Sequence, residues 1–147
     1  MPQKPFIPVL RELARAYQNF ESYSAPHIRS LGLTPSQFDI IATLGNTNGM
    51  SFKELGDKTL ITKGTLTGVV DRLEAKELVR RIASPSDKRS QIVQLTRKGA
   101  ALFERVFPAH LSHVERAFAD FSQAELDGME TMLHRLREAL AAASAKT

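Results

Sequence analysis

The sequence contains no cysteine, which excludes disulfides, thiolate metal ligands and thiol-based redox sensing. It also lacks any apolar run approaching the roughly 20 residues that a membrane-spanning helix needs. The first ten residues, MPQKPFIPVL, have no apolar segment followed by a small-residue cleavage site, as a secretory signal would. These absences predict a soluble protein of the reducing cytoplasm, with no membrane partner.

The signatures of the common enzyme classes are absent as well. The chain has no glycine-rich phosphate-binding loop, no nucleophile elbow and no paired metal-binding motif. Its serine, histidine and aspartate residues show no diagnostic arrangement. We therefore predict a protein that is not an enzyme and that holds no cofactor.

The net charge of +4 is concentrated in the middle of the chain. Residues 51–100 carry eleven Lys/Arg and six Asp/Glu, a surplus of +5, whereas the remaining residues together carry −1. A basic segment inside a near-neutral chain is typical of a surface that binds a polyanion. It is equally compatible with a solvated face that has no partner, and charge alone leaves both interpretations open.

Apolar periodicity and capping residues predict a mainly helical chain. Apolar residues recur at short helical steps from Phe6 to Leu31, which predicts a long amphipathic first helix. Pro26 lies within this helix and should kink or break it. Three capping boxes predict the starts of the second, third and last helices, with the capping residues Thr34, Ser51 and Ser122.

Two short helices joined by a tight turn are predicted in the basic segment. The third helix should end near Lys58, and residues 59–61 should form the turn. Thr62 is then expected to cap a fourth helix that runs to about Lys76. This arrangement is the outline of a helix-turn-helix.

A β-hairpin is predicted directly after the fourth helix. Residues 79–83 and 91–95 are rich in β-branched side chains and flank a basic tip dense in turn-forming residues. A fifth helix, capped by Thr96 and bent at Pro108, follows with apolar residues as far as Phe121. The predicted fold is therefore mainly α, with a small β-hairpin wing.

The fourth helix combines an apolar face with a thin polar face. Its apolar residues share one side at the helical period, and they are Leu66, Val69, Val70 and Leu73. The opposite side carries Gly64, Thr67, Gly68 and Asp71, flanked by Thr65 and Arg72. Such a face can lie close to duplex DNA in a major groove about 12 Å wide, while Lys63 in the first turn meets phosphate. The alternative is a poorly packed surface helix with no partner.

The hairpin tip carries a second group of candidate DNA contacts. Lys88 and Arg89 project from the turn, and arginine suits a narrow minor groove. Asp87 would repel the DNA backbone, so we expect it to pair with a nearby arginine and hold it in one geometry. The alternative is an ordinary solvated turn with an exposed ion pair of little energetic value.

The run ITKGTLTGVVDRLEAKELVRRIASPSDKRSQIVQLTRKG resembles the centre of the MarR (multiple antibiotic resistance regulator) family, and the preceding LGLTPSQFDIIATL resembles the family's second helix. The resemblance covers nearly the whole chain, with its diagnostic motifs in residues 62–99. It implies a triangular homodimer, with residues 1–33 and 100–147 forming the dimerisation region and residues 34–99 the winged helix-turn-helix lobe. Glu77 stands where the family usually has glycine, which should alter the end of the fourth helix rather than DNA reading.

The resemblance also implies which residues contact DNA. Arg89 would enter the minor groove, with Asp87 orienting it and Lys88 beside it. The candidate contacts in the major groove are Thr62, Lys63, Gly64, Thr65, Thr67 and Arg72. Because the long terminal helices carry apolar faces that a small winged lobe cannot cover, the sequence itself also indicates dimerisation. A twofold dimer presents two recognition helices about 34–36 Å apart and predicts a pseudo-palindromic operator in double-stranded DNA.

Regulation by a small molecule is a further implication of the resemblance, since family members often respond to phenolic or aromatic carboxylates. The candidate pocket residues are Tyr23, His27 and Phe38, with Arg29 as a possible carboxylate partner. The alternative is that Tyr23 and Phe38 belong to the core. The leading interpretation is thus a repressor of nearby genes, against a protein-interaction module that does not read DNA.

One histidine pair offers a separate possibility. His110 and His113 are three residues apart and so share one helix face. Zinc usually needs three or four protein ligands, and cysteine is not available. We therefore predict no metal site. The sequence alone does not decide whether the two histidines bind a metal ion.

Overall fold

The computed structural model describes residues 4–147, so the first three residues of the expected 1–33 segment lie outside the described part. The described chain forms two compact units, the first ending at Val114 and the second spanning Glu115–Thr147. The helices are α1 (Ile7–Ser30), α2 (Pro35–Leu44), α3 (Phe52–Lys58), α4 (Lys63–Ala75), α5 (Arg97–Glu115) and α6 (Gln123–Ala145). The strands are β1 (Met50–Ser51), β2 (Val79–Ala83) and β3 (Gln91–Leu95). The predicted mainly α fold with a β-hairpin wing is confirmed.

All three predicted capping boxes form. At the start of α2, the Thr34 hydroxyl oxygen accepts the Gln37 N–H at 3.2 Å, and the Gln37 side chain accepts the Thr34 N–H at 3.1 Å. The boxes that begin at Ser51 and Ser122 have the same reciprocal bonds. Each box satisfies donors that a helix start leaves without partners, and it needs only residues three positions apart.

Two helices continue through an interior proline, at Pro26 in α1 and at Pro108 in α5. α1 is not broken at Pro26 but continues to Ser30. Pro26 is exposed, whereas Ser24 and Ile28 on either side of it are buried, so packing of the neighbours compensates for the missing N–H. α5 likewise continues past Pro108, but it ends at Glu115 and not near Phe121 as predicted, and a 3₁₀ turn follows.

The predicted hairpin strands are confirmed, and β3 also pairs with a third strand that the sequence did not reveal. The antiparallel order is β1-β3-β2, with Met50 opposite Val93 and Val79 opposite Leu95. β1 is two residues long, which is too short to show an alternating pattern. Gly49 has a φ of 105°, and a Cβ there would lie 2.7 Å from the Val93 carbonyl oxygen, so glycine is required beside this strand.

A single apolar cluster holds the helix-turn-helix to the sheet. It buries one face each of α2, α3 and α4 against the inner side of the sheet. Its fully buried members are Ile40, Ile41, Leu44, Leu55, Val70, Leu73, Val79 and Val93. Burial of a side chain of this size stabilises the fold by about 1.5–3 kcal/mol. The position of α4 is therefore fixed by its buried face, which leaves its opposite face on the surface.

Glu77 occupies the left-handed position at the end of α4, where φ is 63°. The Glu77 N–H donates to the Glu74 carbonyl at 2.9 Å, and the Leu78 N–H donates to the Leu73 carbonyl at 3.0 Å. These two bonds form the helix-terminating pattern that normally uses glycine. The end of α4 therefore keeps the backbone geometry that glycine would give. The effect of Glu77 is strain in its own backbone and not a different helix end.

A Glu77→Gly variant should be more stable than the parent. Left-handed backbone costs a residue with a Cβ about 1–2 kcal/mol, and the greater freedom of glycine in the unfolded chain offsets about half of that. We expect a net gain of about 0.5–1 kcal/mol in unfolding free energy, measured by urea denaturation at one fixed protein concentration. Glu77→Ala is the matched control, because it removes the side chain but keeps the strain. Equal gains in both variants would assign the effect to the carboxylate.

Candidate functional site

The exposed face of α4 is the most distinctive surface of the first unit. Leu66, Val70 and Leu73 are buried, as predicted, whereas Thr67 and Arg72 are exposed. Gly64 is exposed and Gly68 half-buried, and a Cβ built on either meets no described atom within 4 Å. Packing within the described chain therefore does not require glycine at either position. Each glycine costs a helix about 1 kcal/mol relative to alanine, which points to close approach by something outside the chain.

The start of α4 differs from the prediction in one detail. Thr62 occupies the N-cap position, but its side chain accepts no hydrogen bond from the helix backbone. Its hydroxyl instead lies 2.9 Å from the Thr65 hydroxyl. The early N–H groups of α4 are thus not capped by Thr62, and Lys63 and Thr65 are exposed beside them. Uncapped N–H groups with an exposed lysine favour an anionic partner.

The first turn of α2 lies beside this face, which the sequence did not reveal. Thr34, Ser36 and Gln37 line one groove together with Gly64, Thr65, Gly68, Val69 and Arg72 of α4. Hydroxyl side chains of this kind contact phosphates in DNA complexes. No local signal in the sequence indicates this juxtaposition, because α2 and α4 are brought together only by the core that they share.

Asp39 fixes the turn that precedes α4. Its carboxylate accepts the backbone N–H of Leu60 at 3.1 Å, across 21 positions of sequence. Burial raises the pKa of Asp39 above its ordinary value, and the bond from Leu60 offsets part of that rise. Leu60 itself is 82% exposed, so this bond holds position 60 without burial of its side chain, while the neighbouring Ile61 packs against the apolar core.

The hairpin tip is organised by Asp87, although not in the way the sequence suggested. One carboxylate oxygen accepts the Arg89 backbone N–H at 3.0 Å, and the other accepts the Ser90 hydroxyl at 3.3 Å. In residues 4–147 Asp87 forms no ion pair with an arginine side chain, so the expected pairing is wrong. In such a turn an aspartate carboxylate accepts the backbone N–H two positions further on, which is the contact seen here. Lys88 and Arg89 are both exposed.

An ion pair links the wing to α4. Arg81 of β2 pairs with Asp71, one of the exposed polar residues of α4, and its second terminal nitrogen lies 3.6 Å from Glu74. Its guanidinium also lies 5.5 Å from the ring centre of Phe52. No local pattern in the sequence singles out Arg81, because its partners lie on other elements.

Three of the four candidate pocket residues lie together, around two histidines of α5. The Tyr23 hydroxyl donates to the His113 carbonyl at 2.7 Å, and their rings stack with centres 4.1 Å apart. The His27 ring stacks on His113 at 4.1 Å, and its Nδ1 lies 2.9 Å from Nδ1 of His110. The Phe38 ring meets His110 edge-on at 4.8 Å. These five residues are called the histidine cluster below.

Arg29, the fourth candidate pocket residue, is not hydrogen-bonded to this cluster among the described residues. Arg29 is exposed, and its side chain has no hydrogen bond or ion pair within residues 4–147. No group of three or more metal-ligating side chains suited to a metal ion occurs among the described residues. The described members of the cluster are therefore aromatic and imidazole side chains, and none of them is hydrogen-bonded to Arg29.

His110 is the buried member of the cluster. Its Nε2 lies 2.9 Å from the hydroxyl of Ser24, which is also buried. Burial lowers the pKa of His110, and the neighbouring His27 and His113 lower it further. The neutral imidazole is thus the form that the folded protein favours.

Acidification should therefore destabilise the protein through His110. Because the folded pKa lies below the unfolded one, the stabilisation is present above pH 6.5 and is lost as pH falls through the folded value. In His110→Gln, which keeps a hydrogen-bonding partner for Ser24, Tm should fall less between pH 7.5 and pH 5 than in the parent, as recorded by thermal unfolding. The exposed Arg105 of α5 supplies the control, because Arg105→Gln removes a charge without removing a histidine and should reproduce the parent profile. Parallel profiles for His110→Gln and the parent would contradict this role.

A helix-turn-helix whose recognition helix has an exposed, glycine-bearing face, followed by a β-hairpin with a basic tip, defines a winged-helix DNA-binding protein. Residues 33–91 match the model of the MarR family. The chain is 36% identical over 124 residues to the HTH-type transcriptional regulator MhqR of Bacillus subtilis, covering 84% of this chain and 86% of that relative. The chain belongs to the MarR family of transcriptional regulators, which are not enzymes.

Two further similarities extend this finding. The chain is 32% identical over 128 residues to the HTH-type transcriptional repressor NicR of Pseudomonas putida, covering 86% of this chain and 78% of that relative. A solved structure of BpsR of Bordetella bronchiseptica, a protein whose DNA binding is regulated by 6-hydroxynicotinic acid, superimposes with a TM-score of 0.81 at 28% identity. It covers 93% of this chain and 98% of BpsR. Within residues 4–147, no helix is both long enough and apolar enough to span a bilayer.

Proposed function

We propose that the chain is a homodimeric, sequence-specific repressor that acts in the cytoplasm on nearby genes and is released by a small aromatic effector. The observation that carries the DNA-binding part is the exposed face of α4, where Gly64 and Gly68 have no neighbours that require glycine. Residues 34–99 are the DNA-binding lobe of this proposal, and residues 1–33 and 100–147 its dimerisation region. The similarity to NicR, a transcriptional repressor, supports repression rather than activation of the target genes.

In the proposed complex α4 lies in the major groove. The contacts come from the exposed side of its first turns and from Arg72, which extends toward the groove shared with α2. They are Thr62, Lys63, Gly64, Thr65, Thr67 and Arg72. Lys88 and Arg89 of the wing reach the adjacent minor groove, with Asp87 holding the turn through the Arg89 N–H.

Dimerisation is supported by the apolar surface of α6. This helix of 23 residues has no buried residue within the protomer. Met132, Leu133 and Leu140 are each more than half exposed, and Leu133 shares an apolar cleft with Phe118 and Met129. An apolar helix face of this length marks a protein interface. A twofold axis would then place two copies of α4 on one face of a pseudo-palindromic operator.

The histidine cluster supports the effector part of the proposal. Tyr23, His27 and Phe38 present aromatic and imidazole rings in one place, with Arg29 exposed nearby on α1. Stacked rings of this kind suit a flat aromatic ligand, whose polar groups the imidazoles and the tyrosine hydroxyl can bind. The ligand that regulates BpsR is a hydroxylated aromatic acid, which is consistent with this chemistry.

Replacement of the wing arginine tests the DNA-binding mode. Arg89→Ala should weaken binding to the operator about thirtyfold, because a minor-groove arginine contributes about 2 kcal/mol. Its Tm should match the parent, since Arg89 is exposed and only its backbone N–H is used in the turn. Binding is measured by fluorescence anisotropy on a duplex selected by the parent protein from a randomised library. Arg105→Ala, which removes an exposed arginine of α5, is the control, and an unchanged affinity in Arg89→Ala contradicts the wing contact.

A further inference from the structure

Arg81 joins three elements of the DNA-binding lobe through one side chain. It extends from β2 of the wing to Asp71 on α4, and it lies 3.6 Å from Glu74 one turn further along the same helix. The guanidinium also lies 5.5 Å from the ring centre of Phe52 at the start of α3. The Arg81 side chain is 21% exposed and the Asp71 side chain 56%, so the contact is shielded from water on the arginine side only.

The surroundings of the Arg81 side chain argue against a role that is limited to stabilising the fold. The Nε–H of Arg81 is buried and has no hydrogen-bond partner in residues 4–147. A buried donor without a partner lowers stability, and a partly buried ion pair recovers little of its desolvation cost. The strands and α4 are in any case held together by the apolar cluster that contains Leu73 and Val79. What the ion pair adds is a defined orientation of the hairpin relative to α4.

Orientation matters because the proposed DNA complex uses two grooves at once. α4 and the wing tip must each meet its own groove, and a small displacement of the tip removes the Arg89 contact without affecting α4. We propose that Arg81 is a positioning residue for DNA binding, which holds the wing against α4 through Asp71 so that Arg89 reaches the minor groove. This inference rests on the proposed function, which supplies the groove contacts.

A double-mutant cycle between Arg81 and Arg89 tests this role. The four proteins are the parent, Arg81→Gln, Arg89→Ala and the double variant, each titrated against the duplex selected by the parent from a randomised library. In the parent background Arg89→Ala should weaken binding about thirtyfold, and in the Arg81→Gln background about threefold or less, since coupled contacts are not additive. A role in stability alone would lower Tm but leave the effect of Arg89 unchanged.

Two further variants test whether the coupling depends on the ion pair between Arg81 and Asp71. Arg80 is the neighbouring arginine on β2, but its Nε donates to Gln94 of β3 at 2.7 Å and not to α4. In Arg80→Gln the full effect of Arg89→Ala should remain. Asp71→Asn breaks the same ion pair from the α4 side, and it should reduce the effect of Arg89→Ala even if Arg81→Gln folds poorly.

The outcomes separate this inference from the proposed function. A thirtyfold effect of Arg89→Ala in the parent, lost in Arg81→Gln and Asp71→Asn but kept in Arg80→Gln, supports the positioning role. The same thirtyfold effect in all backgrounds overturns it and leaves the proposed function intact. If Arg89→Ala has no effect in the parent, the proposed wing contact is wrong, and the positioning role is rejected with it.

Discussion

Gly68→Glu is expected to fold at least as stably as the parent and to bind the operator at least about a hundredfold more weakly. A Cβ at position 68 meets no described atom within 4 Å, and glutamate is a better helix former than glycine by about 0.5 kcal/mol. The new carboxylate would project from the face of α4 that carries Thr65 and Arg72. Like charges brought together at an interface cost several kcal/mol, which is a factor of at least about a hundred in affinity.

A glycine elsewhere in the chain provides the matched control for this variant. Gly128 lies within α6, and a Cβ there also meets no described atom within 4 Å. Gly128→Glu therefore adds the same charge and the same helix propensity on a different helix. It should keep the operator affinity of the parent, provided that light scattering gives both proteins the same mass. Parent-like operator binding by Gly68→Glu would show that the exposed face of α4 does not meet DNA.

Leu133→Glu is expected to separate the dimer and to remove most of the operator affinity. Leu133 is 56% exposed in the protomer and lies in the apolar cleft of the second unit. Burying an unpaired carboxylate in a dimer interface costs several kcal/mol for each copy. The mass measured by light scattering at micromolar concentration should fall from twice 16.3 kDa to 16.3 kDa. Operator affinity should fall at least about a hundredfold, because only one half-site is then bound.

Thr131→Glu is the control for the dimer variant. Thr131 is exposed on α6 and is not one of the residues that line the cleft. It should retain the mass and the affinity of the parent. A Leu133→Glu protein that keeps the double mass would contradict the proposed use of this face. A monomeric protein that binds the operator as tightly as the parent would contradict the need for two recognition helices.

The parts of the fold that the sequence predicted well depend on nearby residues. The capping boxes at Thr34, Ser51 and Ser122 need only a partner three positions away, and all three form. The buried face of α4 follows from its helical period, and the hairpin strands follow from their β-branched residues. Pro26 shows the limit of such rules, because packing of Ser24 and Ile28 keeps α1 continuous around it.

The parts that the sequence did not predict depend on contacts between distant positions. Asp39 and Leu60 are 21 positions apart, and their hydrogen bond exists only because the core brings α2 against the turn. His27 meets His110 across 83 positions, so the contact of the candidate pocket residues with the α5 histidines has no counterpart in any local pattern, although the sequence had singled out both groups separately. Asp87 illustrates a different difficulty, since chemistry suggested an arginine side chain as its partner, whereas turn geometry gives it the Arg89 backbone N–H.

The central claim is that two copies of this chain read one symmetric DNA site through α4 and the wing. Selection of duplexes from a randomised library by the purified protein, followed by sequencing, tests it most directly. We expect an inverted repeat whose half-site centres lie about 10 base pairs apart, or one DNA turn, with the enrichment lost in Gly68→Glu. Enrichment of no sequence, or of a site without twofold symmetry, would contradict the claim.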